Sequence, residues 1–335
     1  MRFQNILVRA TNWVGDAVMS VPALQAIRER FPGAHIAILA KPWVADLYRR
    51  ETFADEVIAY DCSRWEAARR LRPRKFDCAI LLQNAFDAAL IAWLARIPVR
   101  IGYARDGRRL LLTRAIQTPK SGEIPRHQRF YYLELLRRAG ILDSMPETEA
   151  ICLKRRPHSQ ARRMIGVSPG AAYGSAKQWL PERFAEAAAR IADARGCEIA
   201  LFGSKSEFEL CERVRLLLDQ RAATNYAGAT SLGEFIDLAS QCELFLTNDS
   251  GAMHIASALG VPTVAVFGAT DDLATGPTGP LARVVREPVD CSPCLLRECP
   301  IDHRCMSRVS AGRVASEALN LIECAAAQRG LRYGE

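Results

Sequence analysis

Three loops in this sequence hold the residue types that acid–base and phosphate chemistry require. The first, Arg9-Ala10-Thr11-Asn12-Trp13-Val14-Gly15-Asp16, follows a short apolar run and leads into Ala17-Val18-Met19. Gly15 permits a tight turn, and Asp16 stands where a helix begins. A carboxylate there either accepts a proton from a substrate hydroxyl or simply complements the positive end of a helix. The second loop runs from Ser168 to Pro181 and contains Gly170, Gly174, Ser175 and Lys177. Backbone N–H groups in such a turn can cradle a phosphate, with Lys177 as a compact positive charge. Its spacing is not that of a Walker A loop, and a generic glycine-rich turn is the alternative. The third loop, Thr247-Asn248-Asp249-Ser250-Gly251, opens an apolar helix that contains His254. A buried helix start presents free N–H groups and a partial positive charge to an anion. His254, one turn in, either bonds a phosphate or fills a core contact. A fourth segment, Gly203-Ser204-Lys205-Ser206-Glu207, offers Glu207 to a ribose hydroxyl, although any helix start favours Glu.

The elements that must position these loops read as alternating strands and helices. Candidate strands are Ile6–Arg9, His35–Ala40, Val57–Tyr60, Cys78–Gln83 and Val99–Gly102, then Met164–Ser168, Glu198–Phe202, Leu244–Thr247, Thr263–Phe267 and Arg283–Arg286. Between them lie helical patterns such as Pro181–Arg195, with Phe184, Ala187, Ala188 and Ile191 at helical spacing and Pro181 in the first turn. This alternation predicts parallel sheets with crossover helices. The polar stretch Lys154 to Gln160 divides the chain into domains 1–158 and 159–335. Two doubly wound sheets bind ligands at the carboxyl ends of their strands, which is where the loops above fall. A dinucleotide-dependent dehydrogenase is disfavoured, because no GxGxxG follows the first strand.

Composition narrows the class. The 335 residues are about half apolar and 24% charged, an ordinary globular balance. No apolar run is long enough for a membrane span or a signal peptide, so a cytoplasmic protein is expected. Eleven cysteines, an odd number and mostly scattered in apolar surroundings, favour a reducing compartment. Residues 1–160 carry 27 Lys and Arg against 16 Asp and Glu, whereas 161–335 carry 18 against 21. The first half therefore attracts anions: nucleic acid, anionic lipid or a phosphorylated substrate. Four cysteines gather near the C-terminus as Cys291-Ser292-Pro293-Cys294, then Cys299, His303 and Cys305. That spacing suits either a structural zinc or a surface and packing cluster.

Taken in order, these loops resemble the lipopolysaccharide heptosyltransferases of glycosyltransferase family 9. The resemblance spans nearly the whole chain. Its most telling pieces are Asn12 to Asp16, Pro169-Gly170 through Lys177-Gln178-Trp179, and Asn248 to Gly251 with His254. Leu82 to Phe86 and Ile97 to Tyr103 look closer to heptosyltransferase II than to heptosyltransferase I. The resemblance implies a GT-B fold, two Rossmann-like domains facing across a cleft, with an inverting mechanism and no metal required for catalysis. It implies that Asp16 is the base and Lys177 stabilises the departing ADP. Gly170, Ser175, Glu207, Thr230, Asp249, Ser250, Gly251 and His254 would hold the nucleotide sugar in the C-terminal domain. The N-terminal domain would hold a Kdo-lipid A-derived acceptor through Asn12, Trp13, Gly15, Arg100, Arg105, Arg109 and His127, with Arg108 and Arg126 as further candidates. The donor would be ADP-heptose, the setting the cytoplasmic face of the inner membrane, and no nucleic acid is expected as a partner. The basic run Arg64 to Lys75 is then either a membrane-surface contact or a solvated charged helix. Two alternatives remain in view: a transferase using another nucleotide sugar or glycan acceptor, and a non-catalytic sugar-nucleotide or glycan binder.

Overall fold

The computed structural model describes residues 2–147, 150–156 and 163–332. Two compact units divide the chain, Met1–Thr148 and Glu149–Glu335. The sequence-based junction at 158/159 falls within 157–162, outside the described residues. Residues on its N-terminal side already belong to the second unit. The Ile151 N–H donates to Thr278 Oγ1 at 2.9 Å, and the Leu153 N–H donates to the Ala258 carbonyl at 2.8 Å.

The first unit is a parallel sheet of β1 (Asn5–Arg9), β2 (His35–Ala40), β3 (Glu56–Ala59), β4 (Cys78–Leu81), β5 (Val99–Tyr103) and β6 (Arg114–Ile116), in the order β3-β2-β1-β4-β5-β6. The second repeats the plan with β7 (Met164–Ser168), β8 (Glu198–Leu201), β9 (Ala223–Asn225), β10 (Leu244–Asn248), β11 (Thr263–Phe267) and β12 (Ala282–Arg286), ordered β12-β11-β10-β7-β8-β9. Every pairing is parallel. Central strands such as β4, β7, β10 and β11 are buried along their whole length, as expected when helices cover both faces. The strands missing from the sequence reading are β6 and β9. Each is a three-residue edge strand carrying Arg114 or Asn225, too short and polar for an apolar run to reveal it.

Each sheet reverses its direction of travel once, between β1 and β4 and between β7 and β10. At such a switch point neighbouring loops leave on opposite faces and open a crevice at the carboxyl edge. The Asp16 loop follows β1, the Lys177 loop follows β7, and the Asp249 turn follows β10. Local chemistry supports these placements. The helix Pro181–Arg195 starts on Pro181 and ends at Gly196 in the left-handed region (φ 60°). Its apolar face, including Phe184, Ala188 and Ile191, lies against β7 and β8 in the main core of the second unit.

Burial also sorts the thiols. It pushes Cys78 and Cys211 up to about 12, and raises Cys242 as well, whereas Cys152 and Cys324 are exposed. A raised thiol has less reactive thiolate at a given pH. Near pH 8.5, the ordinary thiol midpoint, Cys152 and Cys324 should alkylate quickly, and Cys78, Cys211 and Cys242 only on unfolding. Mass-spectrometric mapping of the labelled peptides checks this.

Candidate active site

In the first unit Arg9, at the end of β1, is 3% exposed and faces no carboxylate in its hydrogen bonds. It donates to Asn12 Oδ1 at 2.7 Å and to the Tyr60 hydroxyl at 2.8 Å, which pins the start of the loop. Burial lowers its pKa from the usual arginine value. The Trp43 indole N–H fixes the same loop from β2's side by donating to the Asn12 carbonyl at 2.8 Å. Beyond this anchorage Trp13 is 59% exposed, and Gly15 and Asp16 are half-buried in the first turn of the helix Val14–Met19.

Tyr132, from the helix Arg129–Arg138, donates its hydroxyl to Asp16 Oδ1 at 2.9 Å. Burial, and then the charge of Asp16, raise the phenol well above its ordinary value, so it remains a donor at neutral pH. Asp16 therefore has one oxygen oriented by a buried hydroxyl.

The arginines expected to meet an acceptor divide into two groups. Arg105 and Arg109 are exposed in the connection between β5 and β6, and His127 is half-buried with Nδ1 accepting the Arg129 N–H at 3.2 Å. Arg100 and Arg108 are different, because their guanidiniums are engaged with the protein's own backbone. Arg100 lies near the start of β5 and bonds the carbonyls of Leu111, Ile97 and Pro98. Arg108 is fully buried, donating to the Tyr103 carbonyl at 2.9 Å, to Asn84 Oδ1 at 3.0 Å and to the Gln83 carbonyl. Burial pushes it down to about 10. Both guanidiniums brace the backbone. The run Arg64 to Lys75 forms the helix Arg64–Leu71 and a short turn, with Arg64, Arg70 and Arg74 paired to Asp87, Glu66 and Glu56.

In the second unit Lys177 ends the short turn Ser175–Lys177, and its Nζ donates to Asp249 Oδ2 at 2.6 Å. Thr270 Oγ1 donates to the same oxygen at 2.5 Å. Asp249 is 5% exposed and the Lys177 side chain 13%. The carboxylate is the partner of the lysine and holds it in place. Asn248, fully buried, donates to the Pro169 carbonyl at 2.7 Å and accepts the Trp179 N–H at 2.9 Å. It thus ties β10 to both ends of the Lys177 loop. Ser250 accepts the Met253 N–H and caps the helix Gly251–Ala258. The first N–H groups of that helix have no intrahelical acceptor, and His254 is buried one turn in.

Glu207 carries out the capping that any helix start favours: its Oε2 accepts both the N–H and the hydroxyl of Ser204 at 2.7 Å. Its other oxygen approaches Gly170 so closely that a Cβ there would lie 2.0 Å away. A side chain at Gly170 would push the Glu207 carboxylate aside, and the contact joins the loops after β7 and β8. Thr230 follows β9 in the adjoining loop, where the Gly228 N–H donates to the Gly203 carbonyl at 3.0 Å. Gly170, Ser175, Glu207, Thr230, Ser250, Gly251 and His254 therefore all lie on or just after carboxyl-edge loops of one sheet. Tyr132, Arg9, Asn248 and Thr270 are the additions. Of these, Arg9 and Asn248 lie in loops singled out from the sequence, whereas Tyr132 and Thr270 carried no local signal.

The cysteine-rich segment lies in the same unit. Burial raises Cys305, and the nearby Cys291, Cys294 and Cys299 raise it further. Among the described residues, however, no group of three or more His, Cys, Asp or Glu side chains is arranged to hold a metal ion. His303 Nε2 is instead 3.0 Å from the Ala176 carbonyl.

Two six-stranded parallel units of this topology are the GT-B class of glycosyltransferase. A family model described as glycosyltransferase family 9 (heptosyltransferase) matches residues 64–304. Lipooligosaccharide heptosyltransferase 2 of Haemophilus ducreyi is 30% identical over 356 residues, covering 95% of this chain and 99% of that protein. Lipopolysaccharide heptosyltransferase 2 of Escherichia coli is 31% identical over 307 residues, covering 84% and 87%. The solved structure of E. coli ADP-heptose LPS heptosyltransferase II superposes with a TM-score of 0.81 at 29% identity, over 95% of this chain and 98% of that one. The chain belongs to glycosyltransferase family 9, the heptosyltransferases.

The Lys177–Asp249 pair has a measurable consequence. Lys177→Ala leaves a nearly buried carboxylate without its cation and should cost about 3 kcal/mol. Adding Asp249→Asn should recover most of that loss. Urea unfolding of the single and double variants measures the coupling.

Proposed function

We propose that the chain transfers heptose from ADP-heptose to the inner-core heptose or Kdo region of a lipid A-linked acceptor in lipopolysaccharide biosynthesis, in the manner of heptosyltransferase II. The second unit, which begins before the expected residue 159, holds the nucleotide sugar, and the first holds the acceptor. The observation that carries this reading is Lys177 held on Asp249 beside the start of the helix Gly251–Ala258, at the switch point of the second sheet.

Asp16 accepts the proton of the acceptor hydroxyl as the new bond forms at the anomeric carbon. The sugar–phosphate bond breaks on the opposite side, inverting that carbon. Negative charge gathers on the leaving ADP, where Lys177 and the N–H groups of the Ser250–Gly251 turn are already aimed and need little reorganisation. In this scheme the lysine and the amides supply the charge neutralisation that a metal gives elsewhere. Glu207 and Thr230 lie toward the nucleoside, and His254 toward the phosphates.

The acceptor is anionic through Kdo carboxylates and lipid A phosphates, which suits the basic first half and its exposed Arg105 and Arg109. Asn12, Trp13 and Gly15 form the wall beside Asp16. The setting is the cytoplasmic face of the inner membrane, approached peripherally. Among the described residues no helix is long and apolar enough to cross a membrane.

A panel of nucleotide sugars with a Kdo-lipid A-derived acceptor tests the reading, and ADP should be released only with ADP-heptose plus acceptor. Asp16→Asn should lower kcat by about 10²–10⁴-fold, the usual worth of a general base, with ADP affinity unchanged. Full turnover in that variant removes Asp16 from the base role. Tyr132→Phe should lower kcat about tenfold without moving ADP affinity, the mark of an orienting hydrogen bond worth about 1 kcal/mol or somewhat more. Steady-state kinetics alongside ADP titration separates the two effects.

A further inference from the structure

The cysteine-rich segment is a strap across the Lys177 loop. The Arg297 carbonyl accepts the Ala176 N–H at 2.9 Å, and the Leu295 carbonyl accepts the Tyr173 hydroxyl at 2.8 Å. His303 bonds the Ala176 carbonyl from the other side, and the Leu295 N–H donates to the Ala269 carbonyl at 2.8 Å, next to Thr270. The fit is tight: a Cβ on Gly174 would come within 2.2 Å of the Arg297 carbonyl oxygen. Apart from the His303 ring, these contacts are made by backbone groups of the strap, and none of them uses the Arg297 side chain.

That guanidinium lies over the Tyr173 ring at 5.1 Å, and Lys177 Nζ lies over the same ring at 4.7 Å. Two cations therefore share one aromatic ring. The carboxylate at hand, Asp249, is bonded to Lys177. Among the described residues Arg297 has no ion pair, and it is exposed. A cation–π contact at an exposed position is weak enough to be exchanged for a charged ligand. An arginine beside a lysine that is already paired with Asp249 fits an anion with more than one negative group. The planar fork of arginine suits phosphate oxygens in particular.

We propose that Arg297 is a second phosphate-binding cation of the nucleotide site, delivered by the cysteine-rich strap to the diphosphate that Lys177 also contacts. This rests on the reading of the second unit as the nucleotide-sugar site. The strap's role is to fix where Arg297 stands, through the Ala176, Tyr173 and Ala269 bonds, so that diphosphate is met by two cations that share the Tyr173 ring.

The test is equilibrium binding of ADP, AMP and adenosine to the wild-type chain, Arg297→Ala, Arg297→Lys and Lys177→Ala. The Ala176 bond uses the Arg297 backbone carbonyl, so Arg297→Ala leaves the strap attached. Arg297→Ala should weaken ADP by about ten- to hundredfold, the range expected for hydrogen bonds to a charged group. AMP should weaken less, adenosine should not change, and Arg297→Lys should recover part of the loss. Unchanged ADP affinity in Arg297→Ala, with the loss confined to Lys177→Ala, overturns the proposal and leaves the nucleotide site standing. Equal loss of adenosine and ADP also overturns it, by revealing a structural role. A wild-type chain that binds no ADP overturns the underlying reading, and the proposal with it.

Discussion

A carboxylate that is almost out of water has to be given a positive partner, and in the second unit that requirement falls on Asp249. Its partner is Lys177, seventy-two positions earlier in the chain. Satisfying the pair forces the loop after β7 to lie against the turn after β10, because those two strands are neighbours. Asn248 reinforces the arrangement with neutral bonds to Pro169 and Trp179. Thr270 adds a donor from the loop after β11. Three consecutive connections along one sheet edge are thus locked around a single charge pair. The result is a lysine held in place before any ligand arrives, and fixed charge is what stabilises a leaving diphosphate without reorganisation.

The first unit solves a related problem with different chemistry. Its loop after β1 is held by Arg9, a buried guanidinium that spends its hydrogen bonds on Asn12, Tyr60 and carbonyl oxygens. Arg108 does the same beneath Gln83 and Asn84, on the loop after β4. These are costly groups to bury, and their pKa values are lowered accordingly. Each is placed so that its donors fix backbone beside a switch-point loop. The net positive charge of this half is therefore not all available to a ligand. Part of it is internal scaffolding, and the part that faces solvent is carried by residues such as Arg105 and Arg109.

The two units share a strand plan but differ in how their loops are closed. In the second, a segment from near the C-terminus returns across the Lys177 loop and bonds it at Tyr173 and Ala176. Burial, and then the neighbouring Cys291, Cys294 and Cys299, raise the Cys305 thiol above its ordinary range. The strap is docked on that loop by hydrogen bonds to carbonyls and by the fit at Gly174.

Much of this organisation was legible in the chain alone. The β-branched and apolar runs of β2, β7 and β11 have the bounds read from sequence, because a strand buried on both faces needs an unbroken apolar run. The loops bearing Asp16, Lys177 and Asp249 were visible because glycine, hydroxyl and charged residues directly after such runs have few other uses. What the sequence could not supply was every relation that depends on strand order. Tyr132 meets Asp16 across 116 positions, and nothing in the pattern of its helix marks it out. Arg100 and Arg108 are spelled like the exposed arginines around them and differ only in which carbonyl oxygens the folded chain brings within reach. The pairing of Asp249 with Lys177 likewise became visible only in the folded chain. Composition and spacing are local properties, so they determined which elements form and which loops carry reactive groups. Hydrogen bonds and charge pairs between distant loops exist only once parallel strands have been placed side by side, so the tertiary structure alone decided which of those groups are free to act.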